Sequence, residues 1–362
     1  MTLARRILVA SATAIVLVGS VATSVSSAPK LRAHFDPVSF TAVSDTDYWV
    51  LGSASCRVGR CFAILRTTDG GRSFVSMSAP ALRREGTVPT LRFADRLDGF
   101  AFLPEAGGVF YATHDGGATW HKLALGTVLA FATGGGNAYT VTARCSLRRC
   151  TRYRFERSPV SANAWRGAAL PFVPSGSVLD LAAHGSSVWL LGTPVGGQRG
   201  SEKDVLARST DDGRTFVTRH GPCVPGLGGE LAPTSARAVW AVCPTGLSAG
   251  AWRSTDGGIT FSALRTPPLV NSAQLAPASS DTAVLSGNGA GDRLRRTTDA
   301  GATWTVPHVP GRATFVPWIG FTDAAVGTAL VQTGWDASAK IEREALWRTT
   351  DGGADWSKVR LP

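Results

Sequence analysis

The stretch TTDGGRSF, at Thr67–Phe74, decides the fold of this 362-residue chain because the same phrase recurs along it. The phrase begins with Ser or Thr, places Asp two positions later and Gly two positions after that, and ends on an aromatic residue. Six copies are present: TTDGGRSF (Thr67–Phe74), THDGGATW (Thr113–Trp120), STDDGRTF (Ser209–Phe216), STDGGITF (Ser254–Phe261), TTDAGATW (Thr297–Trp304) and TTDGGADW (Thr349–Trp356). A long, nearly constant period indicates a repeat architecture, in which each unit buries its apolar face by stacking on its neighbours.

A seventh, eroded unit fills the longest gap between these copies. The stretch SPVSANAW, at Ser158–Trp165, keeps the first and last residues of the phrase but has Val160 in place of the aspartate and Ala162 in place of the glycine. With it, consecutive aspartate positions lie 43 to 52 residues apart, whereas without it one gap would span 96 residues. The spacing therefore predicts seven units.

Each unit contains short stretches in which apolar and polar residues alternate, bounded by Gly, Asp and Pro. In the second unit these stretches are PTLRFAD, DGFAFLP, GGVFYAT and, after the phrase, HKLAL. Such alternation predicts β-strands rather than helices. Four strands per unit in a ring predict an all-β fold, a seven-bladed β-propeller in which the phrase forms the turn between the third and fourth strands of each blade. We expect one propeller domain over residues 35–362.

The residue types in the phrase have a structural explanation. Its aspartate can accept backbone N–H bonds from its own turn, and the leading Ser or Thr offers a further local bond. Its glycine suits a turn that needs positive φ, and its closing ring starts the outer strand and packs into the blade. We therefore expect structural rather than catalytic roles for the six aspartates. They are Asp69, Asp115, Asp211, Asp256, Asp299 and Asp351.

The phrase is identified as the Asp-box, or BNR repeat, and the chain resembles the Asp-box β-propellers, which include the sialidases, along most of its length. The sialidase catalytic set is not matched, because no Arg-Ile-Pro segment lies near the start of the predicted domain and no tyrosine has an obvious glutamate partner. The rhythm VSFTAVSDTDYWVLG, at Val38–Gly52, followed by the box at Thr67–Phe74, is similar to the seven-bladed group of the photosystem II assembly factor. That resemblance implies a non-enzymatic scaffold that holds a partner. Seven-bladed xyloglucan-degrading enzymes also carry the box, but they pair two propellers around a cleft.

The first 28 residues have the layout of a secretory signal peptide. Arg5 and Arg6 precede the apolar run Ile7–Val18, and small residues follow. Cleavage after Ala22 or after Ala28 fits this layout. The alternative is an uncleaved N-terminal anchor, because the apolar segment is barely long enough to span a bilayer. In either case we expect a secreted or extracytoplasmic protein of the cell envelope.

The six cysteines agree with export, because disulfides persist in oxidising compartments. Cys56 and Cys61, and likewise Cys145 and Cys150, lie close in sequence between the second and third strands of their units, so each pair is expected to staple a hairpin. Cys223 enters the fifth unit and Cys243 ends that unit's second strand, on the same predicted face, so a third disulfide is expected between them. Zinc binding would require clustered Cys or His ligands, which the sequence lacks.

The formal net charge is +11, and the excess is mostly arginine. Several arginines fall between second and third strands or between units, and in a propeller these loops open on the face opposite the Asp-boxes. These are Arg57, Arg60, Arg83, Arg84, Arg148 and Arg149. They predict a basic face that attracts an acidic partner; the alternative is a solvated, arginine-rich surface that reflects composition alone. Trp335, in the predicted long loop Gly334–Glu344 of the seventh unit, is an exposed aromatic candidate for sugar or protein contact.

No catalytic, metal-binding or cofactor-binding set is recognisable. Gly246–Gly250 matches the pattern of a serine-hydrolase nucleophile, but it falls between two predicted strands rather than on a strand–turn–helix elbow. Gly287–Gly291 opens no helix and so indicates a hairpin turn rather than a phosphate loop. The histidines show no metal-ligand spacing, and the aromatic residues belong to blades rather than to a nucleic-acid stacking platform.

Two functions follow from these patterns. The first is an exported, disulfide-stapled, monomeric binding scaffold without catalytic residues, which contacts an acidic cell-envelope polymer, a glycan, an anionic membrane surface or another exported protein. The second is a sialidase-like glycoside hydrolase that acts on an extracellular glycan through carboxylates such as Asp336 or Glu230. Glycosidases need two carboxyl groups about 5–10 Å apart. Fold alone does not choose between the two functions.

Overall fold

The computed structural model describes residues 35–55, 59–82, 88–104, 108–146, 149–196, 204–267, 273–287, 294–336 and 341–362. The predicted signal peptide lies outside the described residues. All regular structure in the described ranges is β-strand, arranged in seven antiparallel sheets whose strands follow chain order. The prediction of a seven-bladed β-propeller is therefore confirmed.

The first four blades take up the chain from residue 35 to residue 220. Blade 1 comprises β1 (Phe35–Ala42), β2 (Tyr48–Ser55), β3 (Arg60–Thr67) and β4 (Val75–Ser78). Blade 2 comprises β5 (Thr90–Phe93), β6 (Gly99–Phe102), β7 (Phe110–Thr113) and β8 (His121–Leu123). Blade 3 comprises β9 (Thr127–Gly134), β10 (Asn137–Ser146), β11 (Arg149–Pro159) and β12 (Arg166–Ala168). Blade 4 comprises β13 (Pro174–His184), β14 (Ser187–Pro194), β15 (Val205–Ser209) and β16 (Val217–His220).

The remaining three blades complete the ring. Blade 5 comprises β17 (Glu230–Pro233), β18 (Val239–Pro244), β19 (Ala249–Ser254) and β20 (Ser262–Ala263). Blade 6 comprises β21 (Gln274–Pro277), β22 (Ala283–Ser286) and β23 (Arg295–Thr297), and a single bridge from Arg296 to Thr305 takes the place of its fourth strand. Blade 7 comprises β24 (Phe315–Phe321), β25 (Gly327–Asp336), β26 (Ile341–Thr349) and β27 (Ser357–Lys358).

The hydrophobic core is divided into seven clusters, each between two consecutive blades. Between blades 1 and 2, for example, the rings of Trp49 and Phe93 stack with centroids 3.9 Å apart. Blade 7 packs on blade 1 through Leu330 and Leu346, which lie against Val50. Within the described residues every blade contributes its own strands in order, and the first and last blades meet by packing.

The repeated phrase forms a tight turn whose bonds are internal. In blade 1, Asp69 Oδ1 accepts bonds from the Arg72 and Ser73 backbone N–H groups, both at 3.0 Å, and from Thr67 Oγ1 at 2.7 Å. The Thr67 hydroxyl in turn accepts the Gly71 N–H at 3.0 Å. In blade 3, where the aspartate is missing, Ser158 Oγ accepts the Ala164 N–H at 3.0 Å and donates to the Ala162 carbonyl at 2.6 Å. The eroded turn therefore closes on its leading serine by different bonds, because the intact turns bond the N–H four positions on, as at Gly71.

An arginine directly before the phrase recurs along the chain and connects five of the blades to the next one. It is present in six of the seven units, as Arg66, Arg157, Arg208, Arg253, Arg296 and Arg348. Five of these six guanidinium groups donate hydrogen bonds to the following blade. Arg208, for example, donates to the Ala236 carbonyl at 2.9 Å, and Arg348 closes the ring by donating to the Asp45 carbonyl at 2.6 Å. We call these residues the brace arginines; the sequence interpretation did not anticipate their role.

Candidate functional site

The two faces of the ring carry different connections. The repeated turns lie beside the turns that join first and second strands, since the Gly70 N–H donates to the Thr46 carbonyl at 3.0 Å and the Gly257 N–H to the Arg237 carbonyl at 2.7 Å. This side is called the turn face. Because successive strands are antiparallel, the connections between second and third strands, and those between blades, lie at the other ends of the strands. That side is called the loop face.

Of the six arginines predicted to form a basic face, Arg60 and Arg149 lie within the described residues. Arg57, Arg83, Arg84 and Arg148 lie outside them. The Arg60 guanidinium forms an ion pair with Asp36 and donates from Nε to Ser53 Oγ at 2.8 Å, so its charge is matched within blade 1. Arg149 is exposed on blade 3. Both residues belong to paired strands rather than to the loops in which they were expected, because β3 begins at Arg60 and β11 at Arg149.

The hairpin of β10 and β11 is the most basic element of the described loop face. Cys145 and Cys150 face each other across it and form a disulfide, as predicted. Four exposed arginines extend from this hairpin: Arg144, Arg149, Arg152 and Arg154. Among the described residues, none of their guanidinium groups has a hydrogen bond or an ion pair. We call these residues the hairpin arginines.

The hairpin that carries these arginines contains a bulge. The register of β10 and β11 shifts between Thr142 and Arg144, and Arg152 on the opposite strand has a left-handed backbone with φ of 55°. A bulge interrupts the alternation of inward and outward side chains and increases the local twist. The adjacent residues Thr151 and Arg152 are therefore both exposed. Arg154, two positions further along, would share a side with Arg152 in a regular strand as well. A left-handed conformation at a residue other than glycine stores backbone strain, which is commonly found beside functional sites.

The hairpin separates two grooves on the loop face. The larger, here called the blade 3–4 groove, encloses about 780 Å³ and is lined by Arg149, Arg152 and Tyr153 on one side and by Val173 and Val195 on the other. Burial raises the pKa of Tyr153 above its usual value, and the Arg149 guanidinium offsets part of this rise. The two side chains therefore lie close together. The smaller, here called the blade 2–3 groove, encloses about 430 Å³.

The blade 2–3 groove is lined by three of the hairpin arginines, Arg144, Arg152 and Arg154. Glu156 is the single carboxylate among its lining residues within the described part of the chain, and it accepts a hydrogen bond from Thr142 Oγ1 at 2.8 Å. Arg152 lines both grooves. An anionic ligand on blade 3 would therefore meet two or three guanidinium groups in either groove, and a guanidinium fork binds carboxylates in bidentate fashion.

Three charged residues on first strands interact through the centre of the ring. Arg92 lies on β5, Asp180 on β13 and Glu230 on β17. Burial is the main cause of their shifted pKa values: it raises the pKa of Asp180 to about 6 and that of Glu230 to about 8, and it lowers the pKa of Arg92. The Asp180 carboxylate also raises the pKa of Glu230, and Arg92 lowers it. Blades 2 and 5 are not neighbours, so their charges can meet only across the central channel.

Part of this central cluster has a structural role. Asp180 Oδ2 accepts the Leu231 N–H at 2.7 Å, which links the first strands of blades 4 and 5. Ser39 does the same for blades 1 and 2 by accepting the Leu91 N–H at 3.0 Å. Glu230, named from the sequence as a candidate carboxylate, thus lies near a second carboxylate that the sequence interpretation did not select. No group of His, Cys, Asp and Glu in the described ranges is arranged to hold a metal ion.

The structure corrects the loop predicted at Gly334–Glu344. Gly334, Trp335 and Asp336 belong to β25 and pair with Arg343, Glu342 and Ile341 of β26. Trp335 is therefore on a strand. The side chains of Trp335 and Asp336 lie outside the described part of the structure, so both remain predictions.

The cysteines agree with an oxidising compartment. Cys223 and Cys243 form the second predicted disulfide, with an S–S distance of 2.07 Å. Cys61 is also disulfide-bonded, and its predicted partner Cys56 lies outside the described residues. Intracellular thiols are normally kept reduced, so the disulfides suggest an extracellular or otherwise oxidising location. Within the described ranges no helix has the length and apolar character needed to cross a membrane.

Comparison with known proteins identifies the fold. No family model and no curated protein sequence matches the chain. Among solved structures it is similar to YCF48 from Cyanidioschyzon merolae, with a TM-score of 0.55 and 13% identity over 90% of this chain and 98% of that one. It is also similar to YCF48 bound to D1 peptide, with a TM-score of 0.51 and 16% identity over 90% and 96% of the two chains.

A third similar structure belongs to an enzyme, a puromycin-hydrolyzing peptidase of Mycobacterium tuberculosis. Its TM-score is 0.60 and its identity 13%, and the match covers 91% of this chain and 53% of the peptidase chain. At such identities the likeness establishes a shared fold and nothing about chemistry. The neighbours therefore include both a peptide-binding protein and an enzyme.

Proposed function

We propose that this protein is an exported, non-enzymatic binding propeller that holds an acidic partner of the cell envelope on its loop face. The observation that carries the proposal is the set of four exposed hairpin arginines, whose guanidinium groups have no hydrogen bond or ion pair within the described residues. Unmatched positive charge around concave walls concentrates anions and speeds their association. The disulfides support the exported location.

Arg60 differs from the hairpin arginines, and this difference restricts the proposed partner-binding surface to blade 3. Arg60 was expected to contribute to the same basic face, but Asp36 already neutralises it. The charge available for a partner is therefore concentrated on blade 3 in the described part of the loop face. We place the contact surface on the two grooves beside the hairpin. The acidic partner is an envelope polymer, an anionic membrane surface or another exported protein, and the propeller acts as a monomer.

Co-sedimentation of the purified protein with its own cell-envelope fraction, across a series of salt concentrations, tests this proposal. The test variant replaces Arg144, Arg149, Arg152 and Arg154 with serine. The matched control replaces four exposed basic residues outside the hairpin, Arg72, Arg219, Arg237 and Lys358, so that both variants lose the same charge. Because exposed charges are screened within about 8 Å at physiological ionic strength, we expect binding to weaken as salt rises.

We expect the test variant to lose at least about tenfold in envelope affinity, as removal of several charge-assisted bonds predicts, and the control to bind nearly as the wild type does. Equal losses in both variants would mean that net charge alone attracts the protein to the envelope. An envelope affinity that changes neither with salt nor with either set of substitutions would exclude the hairpin as the contact surface.

A glycoside hydrolase is the second candidate, because the central channel places a carboxyl group with a pKa of about 8 near a second carboxyl group. Glu230 is thus protonated at neutral pH, as a general acid must be, and Asp180 carries more negative charge. A panel of chromogenic glycosides tests this activity. Hydrolysis that disappears in Glu230→Gln and in Asp180→Asn would favour it. No hydrolysis by the wild type, or equal hydrolysis by both variants, would exclude it.

A further inference from the structure

The two walls of the blade 3–4 groove differ in chemistry. One wall carries Arg149 and Arg152, whereas the other exposes Val173 and Val195, which are 58% and 66% accessible. The Val195 N–H donates to the Val173 carbonyl at 2.8 Å, so the two valines are held side by side on backbone that is already paired. Exposed aliphatic side chains that share one concave surface indicate a binding site more often than valines scattered singly. The groove is therefore basic on one side and apolar on the other.

The apolar wall also leaves its main chain open to approach. A Cβ atom placed on Gly176 or on Gly196 would meet no other atom within 4 Å. Both glycines line the groove beside the valines, and Ser175 adds an exposed hydroxyl. A ligand that carries its own backbone amides can therefore lie close to this wall. Main-chain hydrogen bonds combined with pockets for alternate side chains are the usual mode of extended-peptide recognition.

We propose that the blade 3–4 groove binds an extended peptide segment in which carboxylate side chains alternate with small aliphatic ones. This inference rests on the proposed function and specifies its partner. In an extended strand, successive side chains point to opposite sides. Carboxylates on one side of the segment then reach Arg149 and Arg152, while aliphatic side chains on the other side pack on Val173 and Val195.

The other possible partners fit this groove less well. A glycan site normally combines an aromatic surface with hydrogen-bonding groups, and the described lining of the groove has a single aromatic ring, Tyr153, which is half-buried. A membrane surface would contact protruding apolar groups, whereas these valines line a concavity of about 780 Å³. That volume lies within the range of pockets that enclose small ligands, so it suits a segment of a few residues. No carboxylate is present among the described lining residues to repel an acidic segment.

Fluorescence anisotropy with three labelled peptides tests the proposal. The probe alternates Asp and Val, the first comparison peptide alternates Asp and Ser, and the second alternates Asn and Val. We expect the full chain to bind the probe about tenfold more tightly than either comparison peptide, because each of these lacks one of the two complementary sides. The variant Arg149→Ser/Arg152→Ser should lose the preference for Asp over Asn, and Val173→Ser/Val195→Ser should lose the preference for Val over Ser. The control variant Arg72→Ser/Arg237→Ser should keep both preferences.

The possible outcomes separate this inference from the proposed function. Equal affinity for the Asp-Val and Asp-Ser peptides would overturn the peptide class while leaving a basic face that binds any polyanion. Displacement of the probe by polyglutamate or by phosphatidylglycerol vesicles as readily as by unlabelled probe would also overturn it, in favour of a polymer or a membrane. If no peptide binds, yet envelope binding depends on the hairpin arginines, the inference fails and the proposed function stands. If neither binding occurs, both fail.

Discussion

The turn face and the loop face of this propeller use the same residue type in opposite ways. On the turn face, brace arginines such as Arg208 donate to carbonyl groups of the next blade and lie against a buried indole, here Trp189 with its ring centroid 5.8 Å away. On the loop face, hairpin arginines such as Arg154 extend into solvent with no ion pair or hydrogen bond in the described structure. The total positive charge of the chain therefore does not measure its binding surface, because five of its arginines donate hydrogen bonds between blades.

The largest difference between the two faces is expected in stability. Arg208→Ala removes hydrogen bonds to the Asp256 and Ala236 carbonyls and uncovers the ring of Trp189, so it should lower the free energy of unfolding by about 2 kcal/mol. Arg154→Ala removes no bond and should change it by less than about 0.5 kcal/mol. Urea denaturation followed by tryptophan fluorescence measures both. Similar values for the two variants would contradict the division into brace and hairpin arginines.

The fold was accessible from the sequence because the repeated phrase marks one position in every blade. Even the eroded copy at Ser158–Trp165 marked blade 3 correctly, since spacing carried the inference where residue identity did not. The brace arginines also recur in the sequence, directly before the Ser or Thr of the phrase. The sequence does not reveal the carbonyl groups that accept their hydrogen bonds, because those carbonyls belong to the next blade. The sequence did not predict the reduced fourth strand of blade 6, because the phrase of that blade, Thr297–Trp304, is regular.

The candidate site was less accessible for physical reasons. Asp36 neutralises Arg60 from 24 residues away in sequence, which spacing alone does not reveal. Arg152 and Arg154 were missed because they lie within β11, and their exposure is seen only once the hairpin is formed. The central cluster joins blades 2, 4 and 5, so Asp180 could be connected with Glu230 only once the ring was formed.

A smaller effect is expected in the pH dependence of stability, to which the aspartates of the turn face contribute. Hydrogen bonds from Thr260, Ser254 and Ile259 outweigh burial and hold the pKa of Asp256, on the turn face, at about 2 instead of 3.8. A depressed carboxyl pKa contributes stability above the unfolded-state value, and this contribution is lost as the pH falls through the folded-state value. We expect Asp256→Asn to be about 1 kcal/mol less stable than the wild type at pH 7 and nearly equal to it near pH 2, because the side chain is partly exposed and its bonds are partly screened.

Chemical denaturation at pH 7, 4 and 2 measures this convergence. On the loop face, Val173→Ser provides the comparison, because neither side chain titrates in this range. Its stability difference from the wild type should therefore not vary with pH. A constant difference for Asp256→Asn across this range would show that the turn aspartate does not owe its low pKa to native hydrogen bonds.

A small increase in stability is expected on replacing either of two left-handed residues, one on each face. Ala300, in the turn of blade 6, has φ of 60°, and Arg152, in the hairpin of blade 3, has φ of 55°. Most other blades place glycine at the position of Ala300, as Gly70 does in blade 1. Glycine tolerates this conformation without the steric cost of a Cβ atom, so Ala300→Gly and Arg152→Gly should each raise the free energy of unfolding by about 0.5–1 kcal/mol.

Only Arg152→Gly should weaken envelope binding, because Ala300 lies on the opposite face. If Arg152→Gly raises the free energy of unfolding and lowers the affinity for the envelope, the strained backbone of Arg152 serves ligand binding. If it raises the free energy of unfolding and leaves the affinity unchanged, the left-handed conformation of Arg152 results from the bulge alone.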